Sequence, residues 1–200
     1  KKELVQSLKP VKGRRMTLMT SDHNATKALM TFNSINEKAV VQILNLDEKT
    51  LQELKIINTL QFNIFNVREF TKENELVTVV CHIFAREKLF DRLPIRNEKF
   101  LNFVKKIQQG YNDITYHNKT HATDLAQTFY LIANEFELKE KCALDDWDML
   151  SYILAGACHD IGHPGYNNIY LIEQKNPIGI RYNDLSVLEN FHIATTFEII

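Results

Sequence analysis

The chain has 200 residues, enough for one domain of ordinary size with a buried core. Hydrophobic residues make up 44% of it, a fraction typical of a packed protein rather than a disordered one. Lys and Arg total 24 against 25 Asp and Glu, and the net charge of −1 argues against a nucleic acid polymer as partner. No apolar run approaches the roughly 18 to 20 residues of a transmembrane segment.

Residues 1–40 are predicted to be a basic flank or linker, because six of the first fifteen residues are Lys or Arg. The sequence starts with Lys and stops at Ile200 within an apolar run, so we expect a piece of a longer protein. The cysteines are Cys81, Cys142 and Cys158. Their odd number and the lack of a CxxC spacing favour buried or half-buried free thiols in a reducing compartment, hence a cytoplasmic, intracellular protein. Membrane association through other regions stays open.

Apolar residues recur at helical spacing from Val40 to the end of the chain. This periodicity predicts helices within residues 43–65, 73–93, 97–109, 121–136 and 146–159, with Leu60 on the apolar face of the first. A last helix is predicted to open at Ser186, with Glu189 at its capping-box position, and Asp47 is predicted to cap a helix in the first segment. A polar loop is expected between Pro164 and Ser186. The sequence shows no repeat, no Asn-Gly hairpin and no glycine-rich phosphate loop, so the predicted fold class is an all-α multi-helix bundle.

Most histidines of the chain are clustered in sequence. Five of the seven fall between residues 117 and 192, beside Asp and Glu, while His23 and His82 stand alone. The clustered histidines lie in the strings YHNKTHATD (116–124), HDIGHPG (159–165) and NDLSVLENFH (183–192). An isolated histidine is explained most simply as a surface or half-buried residue. The strings are therefore the candidate functional site.

His117 and His121 are four residues apart, which places two imidazoles on one face of a helix or tight turn. Alone, this spacing is more often a polar helix face than a site. His159 and Asp160 follow the apolar string YILAGAC, so both are expected to lie at the edge of the core. Burying a carboxylate beside an imidazole costs free energy unless another group compensates for the lost hydration. A divalent cation supplies this compensation, and His163, one turn on, is within reach of a metal-bound water. The competing interpretation is a capping Asp with two core histidines, which the presence of both strings disfavours.

Imidazole and carboxylate ligands without clustered thiolates suit a catalytic Zn²⁺, Fe²⁺ or Mn²⁺ ion better than a structural zinc site. The two oxygens of Asp160 allow it to bridge two metal ions. Paired metals are a recurrent device for phosphate ester hydrolysis, in which they bind phosphoryl oxygens and activate a water molecule. Cys158 adjoins this site, but its direction along the predicted helix favours a core thiol.

The strings YHNKTHATDLAQ, HDIGHPGYNN and YNDLSVLENFH resemble the signature strings of the class I 3′,5′-cyclic nucleotide phosphodiesterases, in order and at about the family's spacings. The resemblance covers roughly Val40 to Ile200 and only the N-terminal portion of the family's catalytic domain. It implies a helical bundle of the HD and cyclic nucleotide phosphodiesterase type, truncated at its C-terminal side. Residues 41–200 are accordingly assigned to that domain. The implied substrates are cAMP, cGMP or both, hydrolysed to 5′-monophosphates in signal transduction.

The resemblance also implies roles for single residues. His117 would be the general acid that protonates the departing ribose oxygen. A tightly held metal, usually zinc, would be bound by His121, His159 and Asp160. Asp160 would also bridge to a second metal, usually magnesium, although manganese is possible. A polar shell around the metal waters and the phosphate would be formed by His163, Glu189 and His192. Tyr116 would line the substrate pocket, and neighbours would be oriented by Asn118 and Asp124.

Two features depart from the family pattern. The family's last string commonly has two adjacent histidines, and the first of them is Phe191 here, which predicts tuning rather than loss of function. The family also supplies a further metal aspartate, a glutamine and a hydrophobic clamp for the purine from later helices. These would lie beyond Ile200, so the choice between cAMP and cGMP is not determined, and neither are regulatory domains or partners. We expect the 200-residue chain alone to be inactive, weakly metallated and prone to aggregate.

Two alternatives stay open at this point. A general HD-type metal phosphohydrolase also uses a His and an adjacent His-Asp pair, but it does not require the YHN and LEN strings. A non-catalytic relic that binds a nucleotide or a partner helix is supported by Phe191 alone. The intact His117, His121, His159 and Asp160 count against the relic.

Overall fold

The computed structural model describes residues 35–200, and these residues form helices and no strands. The helices, in chain order, are α1 (Glu37–Leu44), α2 (Glu48–Lys55), α3 (Ile64–Phe70), α4 (Glu75–Arg86), α5 (Leu89–Arg92), α6 (Asn97–Gly110), α7 (Lys119–Glu135), α8 (Leu138–Lys141), α9 (Asp146–Cys158), α10 (Asn168–Glu173), α11 (Pro177–Arg181) and α12 (Val187–Ile199). The predicted all-α fold class is confirmed. Among the described residues no helix is both long enough and apolar enough to cross a lipid bilayer.

The chain enters the core before residue 41. Helix α1 starts at Glu37, and Ile35, Ala39 and Val40 are buried. The rest of the predicted basic flank, including His23, lies outside the described residues.

A helix capped by Asp47 was predicted within residues 43–65, but this stretch holds the end of α1, the whole of α2 and the start of α3. Asn45 adopts a left-handed conformation with φ of 50° and ends α1, and Asp47 caps α2 as predicted by accepting the Thr50 amide over 2.8 Å. Residues 56–63 form turns, and Leu60, which the periodicity placed on the apolar face, is 87% exposed. That prediction was wrong because local capping interrupts the periodicity.

Helix α4 runs through the centre of the molecule. Its residues from Glu75 to Ala85 are all buried, and it packs against α6 and α7. A helix that is apolar on all sides is buried by several neighbours at once. Helix α4 therefore forms the core against which the helices that carry the histidines are set.

Helices α7 and α9 pack closely because a glycine lies at their contact. A Cβ atom on Gly156 would lie 2.8 Å from the Cα atom of Ala126, closer than real Cβ contacts. Both positions are fully or nearly fully buried. This packing brings the first turn of α7, which carries His121, near the last turn of α9, which His159 follows directly.

The segment between Pro164 and Ser186 is not only a polar loop. It contains the short helices α10 and α11, and Leu171 packs with Val187 and Leu188 in a small cluster separate from the main core. Their capping residues, Asn167 and Asn176, are polar and gave the segment its loop-like composition.

Ser186 is the N-cap of α12, but the predicted capping box is not formed. Ser186 has a φ of 42° and makes no side-chain capping hydrogen bond. The Glu189 carboxylate instead accepts from the Asn168 side-chain amide at 3.1 Å. An N-cap residue normally has extended backbone, and the left-handed conformation of Ser186 explains the missing contact.

Candidate metal centre

The YHN string lies in the turn that leads into α7. Asn118 caps this helix by accepting the amides of Thr120 and His121 at 3.0 and 3.2 Å, while its side-chain amide donates to the Ile114 carbonyl at 2.8 Å. Asn118 thus fixes the loop to the helix. His121 lies in the first turn of α7 and His117 just before it, with their ring centroids 5.9 Å apart.

The HDIGHPG string forms the turn at the C-terminal end of α9. His159 is the C-cap residue, and Asp160 follows it at the start of the turn. Gly162 has a φ of 73°, a conformation that side chains disfavour. The ring of Phe191 packs against it, since a Cβ atom on Gly162 would lie 3.0 Å from Phe191 Cε1. Phe191 therefore covers the turn that carries His159, Asp160 and His163.

A first group of ligand atoms comes from His121, His159 and Asp160. Nε2 of His121 lies 3.2 Å from Nε2 of His159 and 3.5 Å from Oδ2 of Asp160. Nε2 of His159 lies 2.9 Å from the same Oδ2. All of these atoms lie within 4.8 Å of one another. Three ligands of the type that zinc prefers therefore converge on one point.

Protonation of the first group is set by neighbouring acceptors. His159 Nδ1 donates to the Gly156 carbonyl over 2.9 Å. Burial disfavours the charged form of His159, but hydrogen bonds to Asp160 and Gly156 outweigh it and raise the pKa of His159. Burial, then the charge of His159, lowers the pKa of His121. Asp160 thus favours the charged form of His159, and a divalent cation bound here would compete with that proton.

A second group faces the other carboxylate oxygen of Asp160. Asp160, His163 and His192 also have ligand atoms within 4.8 Å of one another. Asp160 is the residue shared by both groups. Burial raises its pKa, but the hydrogen bond with His159 and the neighbouring histidines outweigh this and lower the pKa overall. An ionised carboxylate is thus held at the centre of the site.

In the second group, one buried nitrogen atom of His192 has no hydrogen-bond partner among the described residues. His192 Nδ1 donates to the Ile161 carbonyl over 2.7 Å, which directs the lone pair of Nε2 towards Asp160 Oδ1 at 3.7 Å. His192 Nε2 is this buried nitrogen. Two acceptors that face each other need a cation or a water molecule between them. The residues present therefore fit a divalent metal.

His163 has the opposite tautomer. Its Nδ1 accepts the Gly165 amide over 3.0 Å, so the proton of the neutral ring is on Nε2. Burial, followed by the nearby His117, lowers the pKa of His163 to about 4. A neutral His163 is thus suited to donate a hydrogen bond from Nε2 rather than to bind a metal.

Other predicted residues lie around these groups. His117 belongs to neither ligand group and contacts Tyr116, His121 and His163 by its ring. Tyr116 is 63% exposed and lies over His121 with ring centroids 4.6 Å apart. Asp124 is exposed on the same helix, where its charge opposes the lowering of the His121 pKa.

The cysteines are not ligands of these two groups. Cys158 is buried beside the site, as predicted, and burial raises the pKa of its thiol to about 12. Cys81 is likewise buried, but Cys142 is exposed, so the prediction of buried or half-buried thiols was wrong for Cys142.

Tyr111 and Asn112 hold the HDIGHPG turn in place, but no sequence pattern identified them. The Tyr111 hydroxyl donates to the Ala157 carbonyl over 3.0 Å and lies 3.4 Å from the Asp160 amide. Asn112 donates to the carbonyls of Gly162 and His163. Tyr111 and Asn112 precede the YHN string in a stretch without helical periodicity, and only the fold shows that they hold the HDIGHPG turn.

Comparison with known protein families identifies the family that the three histidine strings match. Residues 116–200 match the model of the family described as 3′5′-cyclic nucleotide phosphodiesterase. This part of the chain belongs to that family. The matched residues include all three histidine strings, and the resemblance predicted from those strings is confirmed.

Phosphodiesterase relatives align over more of the chain than the family model does. The chain is 37% identical over 158 residues to a 3′,5′-cyclic-AMP phosphodiesterase 4 of Dictyostelium discoideum, covering 77% of this chain and 15% of the relative. It is 30% identical over 155 residues to a mouse 3′,5′-cyclic-AMP phosphodiesterase 4C, covering 77% of this chain and 22% of the relative. A dual 3′,5′-cyclic-AMP and -GMP phosphodiesterase beta of Plasmodium falciparum is 41% identical over 100 residues, half of this chain and 9% of the relative. The chain thus spans less than a quarter of each phosphodiesterase.

Proposed function

We propose that the full-length protein hydrolyses 3′,5′-cyclic nucleotides, cAMP, cGMP or both, to 5′-monophosphates. The observation that carries the proposal is the carboxylate of Asp160, which faces His121 and His159 with one oxygen and His192 with the other. A carboxylate shared between two groups of ligands is the arrangement that two-metal phosphate hydrolysis requires.

We assign the tight metal position to His121, His159 and Asp160, and the second position to the other oxygen of Asp160. Zinc suits the first, because two imidazoles and a carboxylate are its preferred ligands. Magnesium suits the second, since it binds through few carboxylates and keeps several waters, and manganese is an alternative. When bound, these cations would supply positive charge to the phosphate and lower the pKa of a water molecule.

The side chains around the metals would move the proton and hold the phosphate. His117 lies outside both ligand groups, so its imidazole is free to protonate the ribose oxygen that leaves. His163, with its proton on Nε2, would donate to a phosphate oxygen. His192 and Glu189 would complete the polar shell, Glu189 being held by Asn168. Tyr116 would form one exposed wall of the substrate pocket.

The two alternative functions are less well supported. A general HD-type phosphohydrolase does not explain the match of residues 116–200 to the cyclic nucleotide phosphodiesterases. A non-catalytic relic does not explain why the ligand atoms of His121, His159 and Asp160 converge within 4.8 Å. Phe191, the only residue in the relic's favour, packs on Gly162 and leaves both groups of ligands in place. An intracellular setting and regulatory partners outside this chain belong to the same proposal.

The test is hydrolysis of cAMP and of cGMP by the full-length protein with added Zn²⁺ and Mg²⁺. We expect 5′-monophosphate as product, loss of activity on chelation, and its recovery on adding metal. The 200-residue chain at equal concentration should be inactive. Hydrolysis of simple phosphate monoesters but not of either cyclic nucleotide would favour the general phosphohydrolase. Comparable activity of the short chain would show that the described residues already complete the site.

A further inference from the structure

Helices α4 and α7 are joined by a buried hydrogen bond next to the metal centre. The Thr120 hydroxyl donates to Oε1 of Glu75 over 2.7 Å. Glu75 is fully buried and Thr120 is 6% exposed. The other oxygen, Oε2, is buried and has no hydrogen-bond partner among the described residues. Because a buried carboxyl group with one partner is costly, its presence in the core needs a reason.

The contact acts on the first turn of α7, where the predicted ligands begin. Thr120 is directly followed by His121, whose Nε2 lies 3.2 Å from Nε2 of His159. Asn118 caps the same turn through the amides of Thr120 and His121. The cap defines where the helix starts, and the hydroxyl of Thr120 links that start to α4.

The neighbouring surface contact is weaker. Lys119 Nζ donates to the Glu73 carbonyl over 2.9 Å and lies 3.3 Å from Glu73 Oε2, where the Glu73 side chain is 59% exposed. Ion pairs of this kind are screened by water and salt. The buried bond between Glu75 and Thr120 is shielded from water and salt, so it holds the start of α7 against α4 more firmly than the surface contact does.

We propose that Glu75 is a positioning residue for the metal centre, acting through Thr120 to hold His121 in register with His159 and Asp160. This inference rests on the proposed function only in taking these three residues as metal ligands. Outer residues that orient ligands are a general feature of metal sites. Glu75 lies outside the histidine strings, and in the sequence it looks like an ordinary acidic residue in the first turn of a helix.

Replacing Thr120 by Val keeps the shape of the side chain and removes its hydroxyl. We expect Thr120→Val to weaken Co²⁺ binding by the chain about 10-fold to 100-fold, as for other outer residues of metal sites. The absorption bands of bound Co²⁺ should shift as well. The matched control is Thr123→Val, because the Thr123 hydroxyl donates to the Lys119 carbonyl over 2.7 Å within the same helix. Equal Co²⁺ affinity in the two variants would overturn the proposal.

A second pair of variants separates the hydrogen bond from the packing of Glu75. Glu75→Gln keeps an oxygen that can accept from Thr120 and should preserve Co²⁺ affinity, whereas Glu75→Leu should lower it as far as Thr120→Val does. Loss of affinity in Glu75→Gln equal to that in Glu75→Leu would overturn the role of the hydrogen bond.

The ring ¹⁵N shifts of His121 and His159 in the metal-free chain test the same contact without any metal. We expect Thr120→Val to change them and Thr123→Val to leave them as they are. If the unaltered chain bound no Co²⁺, the proposed metal centre would fail, and the ring shifts would still decide whether Glu75 positions His121. Unchanged shifts in Thr120→Val would overturn the positioning role.

Discussion

The imidazole of His163 stacks on that of His117, with ring centroids 3.9 Å apart and planes inclined by 11°. Burial, followed by the nearby His117, lowers the pKa of His163 to about 4. Two stacked imidazoles cannot both be charged at low cost. The lowered pKa keeps His163 uncharged near neutral pH, so His163 places no positive charge against the ring of His117.

Replacement of His117 by Asn tests this division of roles. Because His117 lies outside both ligand groups, His117→Asn in the full-length protein should keep its tightly bound metal. It should lose about 10²- to 10⁴-fold in kcat, the usual contribution of general acid catalysis. A substrate with a better leaving group should be affected less. Metal content and turnover measured on the same sample check both points, and loss of metal would show that His117 is a ligand.

Replacement of Asp160 by Asn should affect both metal positions. Its two oxygens face different histidines, at 2.9 Å for His159 and 3.7 Å for His192. Removing the negative charge should lower metal content and reduce hydrolysis by several orders of magnitude. Elemental analysis and turnover of full-length Asp160→Asn protein provide the measurement. Near-normal turnover with unchanged metal content would remove the two-metal proposal.

His82 should make the chain less stable in acid. Burial, then the charge of Arg86, lowers the pKa of His82 to about 4, and the carboxylate of Glu37, 3.8 Å away and half exposed, does not offset this. Between pH 6.5 and 4, His82 is protonated in the unfolded chain but neutral in the folded chain. The free energy of unfolding therefore decreases as the pH falls. The loss from His82 alone should be on the order of 3 kcal/mol.

The variant His82→Phe removes this titration. Its free energy of unfolding should depend less on pH than that of the unaltered chain between pH 6.5 and 4, with little difference in slope above pH 7. Denaturant unfolding at a series of pH values measures the two slopes. Parallel curves would mean that His82 is protonated in the folded chain over the same range.

Helix α12 exposes an apolar face that should cause the chain to associate. Ile193, Phe197 and Ile200 are 60, 71 and 79% exposed, and they border a groove of about 460 Å³ that reaches Phe103 and Leu154. Exposed apolar surface of this kind promotes association. Phe197→Glu should therefore reduce the sedimentation coefficient of the 200-residue chain at high concentration. Leu60→Glu, at a separate site that is more exposed still at 87%, is the control and should have no such effect.

The sequence predicted which side chains come together better than it predicted the connections between helices. The strings and the family resemblance put forward His121, His159 and Asp160 as candidate ligands, and their ligand atoms lie within 4.8 Å of one another. The end of α1 at Asn45 depends on the left-handed conformation of that single residue, which the spacing of apolar residues does not predict.

Long-range contacts explain the remaining differences. Glu189 was predicted to complete a capping box, but its carboxylate accepts from Asn168, a partner 21 residues away in sequence. Glu75 and Tyr111 contact the site region across 45 and 49 residues. Such pairs are set by the packing of α4, α7 and α9, so no local pattern predicts them.

The small cluster of Leu171, Val187 and Leu188 gives the region around Glu189 its own local stability. Because so few side chains hold it, residues 166–188 should open at a lower free energy than the main core does. Amide hydrogens in α10 should therefore exchange with solvent faster than those in α4, even in fully folded molecules. Opening of this segment would release Asn168 from Glu189 while leaving His121 and His159 in place. One side of the candidate site would then unfold and refold as a unit without disturbing His121 and His159 on the other.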